Sequence, residues 1–160
     1  MGVDVEFLEF DPDALEPVLA VMAELAASDA GAGWLTLDPA IDERFPPPSE
    51  NLLTKLVSGR GPAVPRATWV PADTTRRRPE PMSIGILHGT GSGATERLAE
   101  KGTPVPQRWR VVNDHSKRGF VAWVPIDIPH RELLAWTLVA GRALTRIPLT
   151  GRWRAAVHRR

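Results

Sequence analysis

Hydrophobic positions in this chain follow two spacings. Val3, Val5 and Phe7 alternate with Asp4 and Glu6, the period-two pattern of a strand with one wet face. From Leu15 onward, Val18, Leu19, Met22, Leu25 and Ala26 recur at helical spacing. Asp11-Pro12 puts a capping acid and a first-turn proline ahead of that run, and Gly31-Ala32-Gly33 ends it. Residues 34–37 read as a short strand stopped by the Asp38-Pro39 turn, and residues 45–48 as an extended connector. Ser49 caps a short helix over 52–57, and residues 67–70 form a further strand. Residues 71–81, with three consecutive arginines between prolines, read as a flexible surface loop.

The second half is patterned more clearly. Residues 83–87 predict a strand, 94–100 a helix of about two turns ending at Gly102, and 108–113 a strand with Trp109 and Val111 on one face. The turn 114–119 leads into a strand over 120–124, so these two strands form a hairpin. Pro129 opens a helix through Leu144 that is apolar nearly all round, hence deeply buried. Thr150-Gly151 turns the chain into a last strand over 153–158, and no internal repeat is visible. Strands and helices are mixed without a regular strand–crossover-helix alternation. The pattern therefore predicts one α+β domain over 1–160: a mostly antiparallel twisted sheet of about five or six strands, with helices packed on one face.

Composition narrows the class. With 160 residues, 42% apolar and 24% charged, the chain fits one globular domain, long enough to bury roughly 70% of its unfolded surface. Sixteen prolines against an ordinary share of about 5% call for stiff, numerous connections. The absence of cysteine excludes disulfides, thiolate metal sites and cysteine nucleophiles. The first residues lack the pattern of a secretion signal, and the longest largely apolar stretch, 133–140, is far short of the ~20 residues that span a bilayer. The expected setting is cytoplasmic, away from membranes. The net charge of +1 hides a split: residues 1–50 carry twelve acids and one base, whereas residues 101–160 carry twelve bases and three acids. Folding of the two ends against each other would neutralise both.

The stretch IGILHGTGSGATERL at 84–98 holds the main candidate chemistry. Gly89, Gly91 and Ala94 match the spacing of a dinucleotide fingerprint, but only 46 residues follow Asp114, too few for the second half of such a fold. A nucleotide-triphosphatase loop needs Lys then Ser or Thr after the last glycine, and Gly93 is followed by Ala94. Ile86-Leu87-His88-Gly89, with Val111-Val112-Asn113-Asp114 and Arg118-Gly119, resembles the oxyanion strand region of α/β-hydrolases over about 36 residues. The Gly-x-Ser-x-Gly nucleophile elbow of that family occurs nowhere in the chain, so its activity is not carried over. The remaining roles for Gly89, Gly91 and Gly93 are sharp backbone geometry between strand and helix and, with Ser92, amides that hold an anion at the helix start.

Among the histidines, His88 and His115 with Asp114 are the candidates for general acid–base work in a small-metabolite enzyme beside the loop. No histidine pair has metal-ligand spacing, and neither metal nor cofactor is expected. Arg-Trp-Arg occurs twice, at 108–110 and 152–154; on a strand the tryptophan points inward and the arginines outward. Arg110 and Arg154 are thus the candidate anion-binding side chains. The leading expectation is a non-catalytic binding or regulatory protein recognising an anionic small molecule or protein partner. The alternatives are the enzyme above, a nucleic-acid-binding module built on the Arg/Trp-rich strands, and a homodimer joined through exposed tryptophans.

Overall fold

The structure, a computed structural model, describes residues 2–28, 31–44 and 61–160. The connector expected at 45–48 and the helix expected at 52–57 lie outside the described residues. In chain order the elements are β1 (Asp4–Phe10), α1 (Glu16–Ala27), β2 (Gly33–Ile41), β3 (Arg66–Val70), β4 (Met82–Leu87), α2 (Ala94–Glu100), β5 (Arg110–His115), β6 (Gly119–Val124), α3 (His130–Ala143) and β7 (Leu149–Arg159). The seven strands of the described residues join one antiparallel sheet in the order β1-β7-β2-β3-β4-β6-β5, so all seven strands read from the spacing enter a sheet expected to hold about five or six. Because β7 pairs antiparallel with both β1 and β2, those two run parallel, joined through α1. The same split arrangement recurs where β6 lies between β4 and β5, joined through α2.

Alternation along the strands sorts side chains onto two faces. Leu35 and Leu37, Ala67 and Trp69, Ile84 and Ile86, Phe120 and Ala122, and Trp153, Ala155 and Val157 are all buried. They form one cluster with Val18, Met22 and Leu25 of α1, Ala94 and Leu98 of α2, and Leu133, Leu134 and Leu138 of α3. Burying each large side chain contributes about 1.5–3 kcal/mol, so this cluster outweighs any surface ion pair. The half-buried Trp136 donates Nε1–H to the Pro104 carbonyl at 3.1 Å, whereas the buried Trp69, Trp109 and Trp153 find no acceptor among the described residues. The apolar area of each ring offsets that cost.

Several boundaries depart from the sequence expectation for identifiable reasons. Asp38-Pro39 lies inside β2, because a register shift between Pro39 and Ile41 lets the strand continue past the missing N–H. The expected Thr150-Gly151 turn is likewise inside β7. Asp11 does not cap α1: its carbonyl accepts from Ala14 N–H in a separate turn, and Leu15 occupies the cap position ahead of Pro17. Trp109 precedes β5 and packs edge-on against Trp136, ring centroids 4.7 Å apart. Val139 is half exposed, so α3 is buried on one side only. Trp123 sits on the strand face opposite the core.

Hydrogen bonds and ion pairs join residues 73–80 within the loop 71–81. Asp73 is buried, and its Oδ1 accepts from the Thr75 amide (3.0 Å), the Thr75 hydroxyl (3.1 Å) and the Arg76 amide (3.3 Å). Arg76 bridges to Asp73 and Glu80, and a backbone bridge joins Asp73 to Glu80. The charge split is resolved by strand pairing: basic β7 lies along acidic β1, and Arg159 bonds both Glu6 (2.8 Å) and Glu24 of α1 (3.0 Å).

Candidate functional site

Two regions merit comparison: the glycine loop between β4 and α2, and a cleft on the sheet face opposite the core.

In the loop, Gly91 (φ 92°) and Gly93 (φ 80°) adopt the left-handed backbone that turns β4 into α2. Gly89 has a different reason, since a Cβ there would meet Arg146 Cδ and the Pro62 carbonyl at 2.8 Å. The amides at the helix start are filled from within the chain. Asp114, reaching across from β5, accepts from the amides of Ala94 (2.9 Å) and Thr95 (3.0 Å) and from the Thr95 hydroxyl (3.0 Å). Burial works to raise the Asp114 pKa, but these donors outweigh it and hold the carboxyl below its ordinary value. Of the amides at 92–94, that of Ala94 is therefore met by the protein's own carboxylate.

His88 is fully buried, and its Nδ1 accepts from the Thr90 amide (3.3 Å) and meets the Thr90 hydroxyl at 2.8 Å. An amide donating to Nδ1 leaves the proton of the neutral ring on Nε2, which has no acceptor among the described residues. Burial, then the Arg97 charge, push the His88 pKa down, against a smaller opposing pull from Asp114. Arg97 staples the loop by donating to the Thr90 hydroxyl (2.9 Å) and the Ser92 carbonyl (3.1 Å). His115 is exposed, and its Nδ1 accepts from the amides of Lys117 and Arg118 across the hairpin turn. Asp114 and His115 are successive strand residues and leave the backbone on opposite faces. Among the described residues, His88, His115 and Asp114 make no direct hydrogen bond to one another.

The cleft lies over β1, β7, β2 and β3, with a volume of about 620 Å³. A row of alternating charge crosses its floor. Glu9 faces Arg154, Arg154 faces Asp38, and Arg66 stands next to Asp38 with Leu87 on its far side. At ordinary strand spacing the four charged residues span about 15 Å. Arg66 and Asp38 form a two-pronged pair, Nε to Oδ1 at 2.7 Å and Nη2 to Oδ2 at 3.2 Å. Arg154 is held more loosely: its Nη2 stands 3.8 Å from Asp38 Oδ2, and its guanidinium carbon lies 5.0 Å from the centre of the exposed Phe7 ring. Among the described residues it makes no hydrogen bond. Pro39, Ala40, Ile41, Pro62 and Val64 complete the walls with Leu87.

Of the side chains singled out in the sequence, Arg154 alone enters this cleft. Arg110 shares the outward-facing side but sits on β5, five strand steps from β7 and about 24 Å away, with its guanidinium over Trp123 at 5.2 Å. Glu9, Asp38 and Arg66 carry no signal of their own in the sequence. The same face carries a further stack, Trp34 on His158 with centroids 4.6 Å apart, capped by Arg160 and bonded to Thr36 at 3.0 Å. Among the described residues, no three metal-binding side chains gather as a metal site, and no helix is long and apolar enough to cross a membrane. The chain matches no protein-family model, no curated protein and no solved structure.

Proposed function

We propose that this is a cytoplasmic, non-catalytic binding protein that takes an anionic small molecule in the cleft over β1, β7, β2 and β3. In this reading the three helices gather on the core face and leave the opposite face of the sheet for recognition. The observation that carries it is Arg154: a guanidinium that makes no hydrogen bond among the described residues, beside Phe7 and Asp38, in a cleft of metabolite size. A fork of N–H donors held by a neighbouring carboxylate and an aromatic ring is pre-set to accept a carboxylate or similar oxyanion. The test is a thermal-shift panel of acetate, benzoate, phosphate and pyrophosphate at low salt, on the wild type and Arg154→Ala. Stabilisation by at least one anion, absent in the variant, is expected; no response from the wild type overturns the reading.

A second reading, single-stranded nucleic acid, draws on three guanidinium–ring pairs spread over the same face: Arg154 on Phe7, Arg160 on Trp34 and Arg110 on Trp123. Bases stack on such rings and arginines neutralise phosphates. It requires binding that falls steeply with salt and weakens in both Arg110→Glu and Arg154→Glu. Small-molecule binding in the cleft does not depend on Arg110, so that variant separates the two readings.

A further inference from the structure

The cleft's composition narrows its ligand to one chemical class, an inference that rests on the anion-binding reading above. Arg66 and Arg154 face Asp38 and Glu9, so the formal charge along the floor cancels. Arg66 is engaged with Asp38 through both prongs, so among the described residues of the cleft Arg154 is the guanidinium without a hydrogen bond. A ligand carrying two negative charges would gain from that single cation and be repelled by the two carboxylates beside it. A monoanion is repelled half as strongly and, because the cost of desolvation rises with the square of the charge, enters a cleft of cancelled charge more easily. The rest of the lining, Pro39, Ile41, Pro62, Val64 and Leu87 among it, is apolar, and Leu87 continues the charged row into that wall at the β3–β4 pairing. A bare ion would leave this surface wet. We propose that the ligand is a monocarboxylic acid with a hydrocarbon body, its carboxylate on Arg154 and its chain along Leu87, Val64 and Ile41.

The test is a calorimetric series from acetate through butanoate and hexanoate to octanoate, all below micelle-forming concentrations, with octyl phosphate at pH 8 as the dianion. Burial of each methylene is expected to tighten Kd about fourfold until the cleft is filled. Octyl phosphate is expected to bind more weakly than octanoate. Arg154→Ala should lose at least tenfold for every acid, Arg154→Lys should fall between, and Leu87→Gln should flatten the chain-length dependence while leaving acetate unchanged. Arg154 and Leu87 are partly or largely exposed, and matching circular dichroism will show that the variants fold. If acetate and phosphate bind through Arg154 as tightly as octanoate, the hydrocarbon body is overturned and the anion site stands. Affinities left unchanged across the whole series in Arg154→Ala overturn the anion site itself. If no acid binds the wild type, both fall.

Discussion

Replacing Asp114 with asparagine tests the claim that the glycine loop is filled from within. Asparagine keeps the shape and one acceptor oxygen, but its amide presents hydrogens to a backbone N–H that now lacks a partner. The carboxylate accepts three hydrogen bonds at 2.9–3.0 Å at the start of α2. Loss of a helix cap costs about 0.5–2 kcal/mol, and stranding a donor costs a further share, so about 2 kcal/mol is expected at pH 7. With a urea slope of about 2 kcal/mol/M, the unfolding midpoint should drop by about 1 M. The pH dependence has a definite sign. A carboxyl whose folded pKa is depressed below its ordinary 3.8 stabilises the fold fully above that value and loses the contribution as pH falls through the folded pKa. The stability gap between wild type and Asp114→Asn should therefore narrow as pH falls below 3.8. A midpoint unchanged at pH 7, or a gap that does not narrow at all in acid, would refute the cap.

Three further outcomes are expected from the packing. Gly141→Ala should destabilise by about 1–3 kcal/mol in urea melts despite alanine's better helix propensity, because the new Cβ would meet Trp153 Cη2 at 2.8 Å and a buried ring cannot give way. Asp73→Ala should expose the 71–81 segment to limited tryptic proteolysis, with new cuts after Arg76 or Arg77, since Asp73 gathers its turn and the Arg76 bridge. Arg159→Ala should cost about 1 kcal/mol at low salt and less at 1 M salt, as expected for exposed pairs to Glu6 and Glu24.

Local elements are legible in the sequence because local spacing determines them: β1, the β5–β6 hairpin, α2 and α3 follow from alternation, turn residues and helical periodicity. Less legible is whatever depends on distant pairing. Nothing in the spacing of residues 149–159 says that β7 inserts between β1 and β2, yet that insertion neutralises the charge split and brings Glu9, Asp38 and Arg154 into one row. Arg154 is visible through the repeated Arg-Trp-Arg triplet, and burial of Trp153 with exposure of Arg152 and Arg154 follows the alternation expected of it. Asp38 is hidden by Pro39, whose turn propensity conceals a strand that tolerates a register shift. Asp114 stands out as a candidate but for another role: its proximity to the glycine loop is readable, while its use as the cap depends on β5 lying beside α2.

The most direct measurement follows the Arg154 Nε–Hε resonance in two-dimensional NMR while octanoate is added. The account predicts a saturable shift of that signal with the midpoint found by calorimetry, and none for Arg108, whose guanidinium is paired with Asp127 away from the cleft. An Arg154 signal that stays in place while calorimetry reports binding would contradict it.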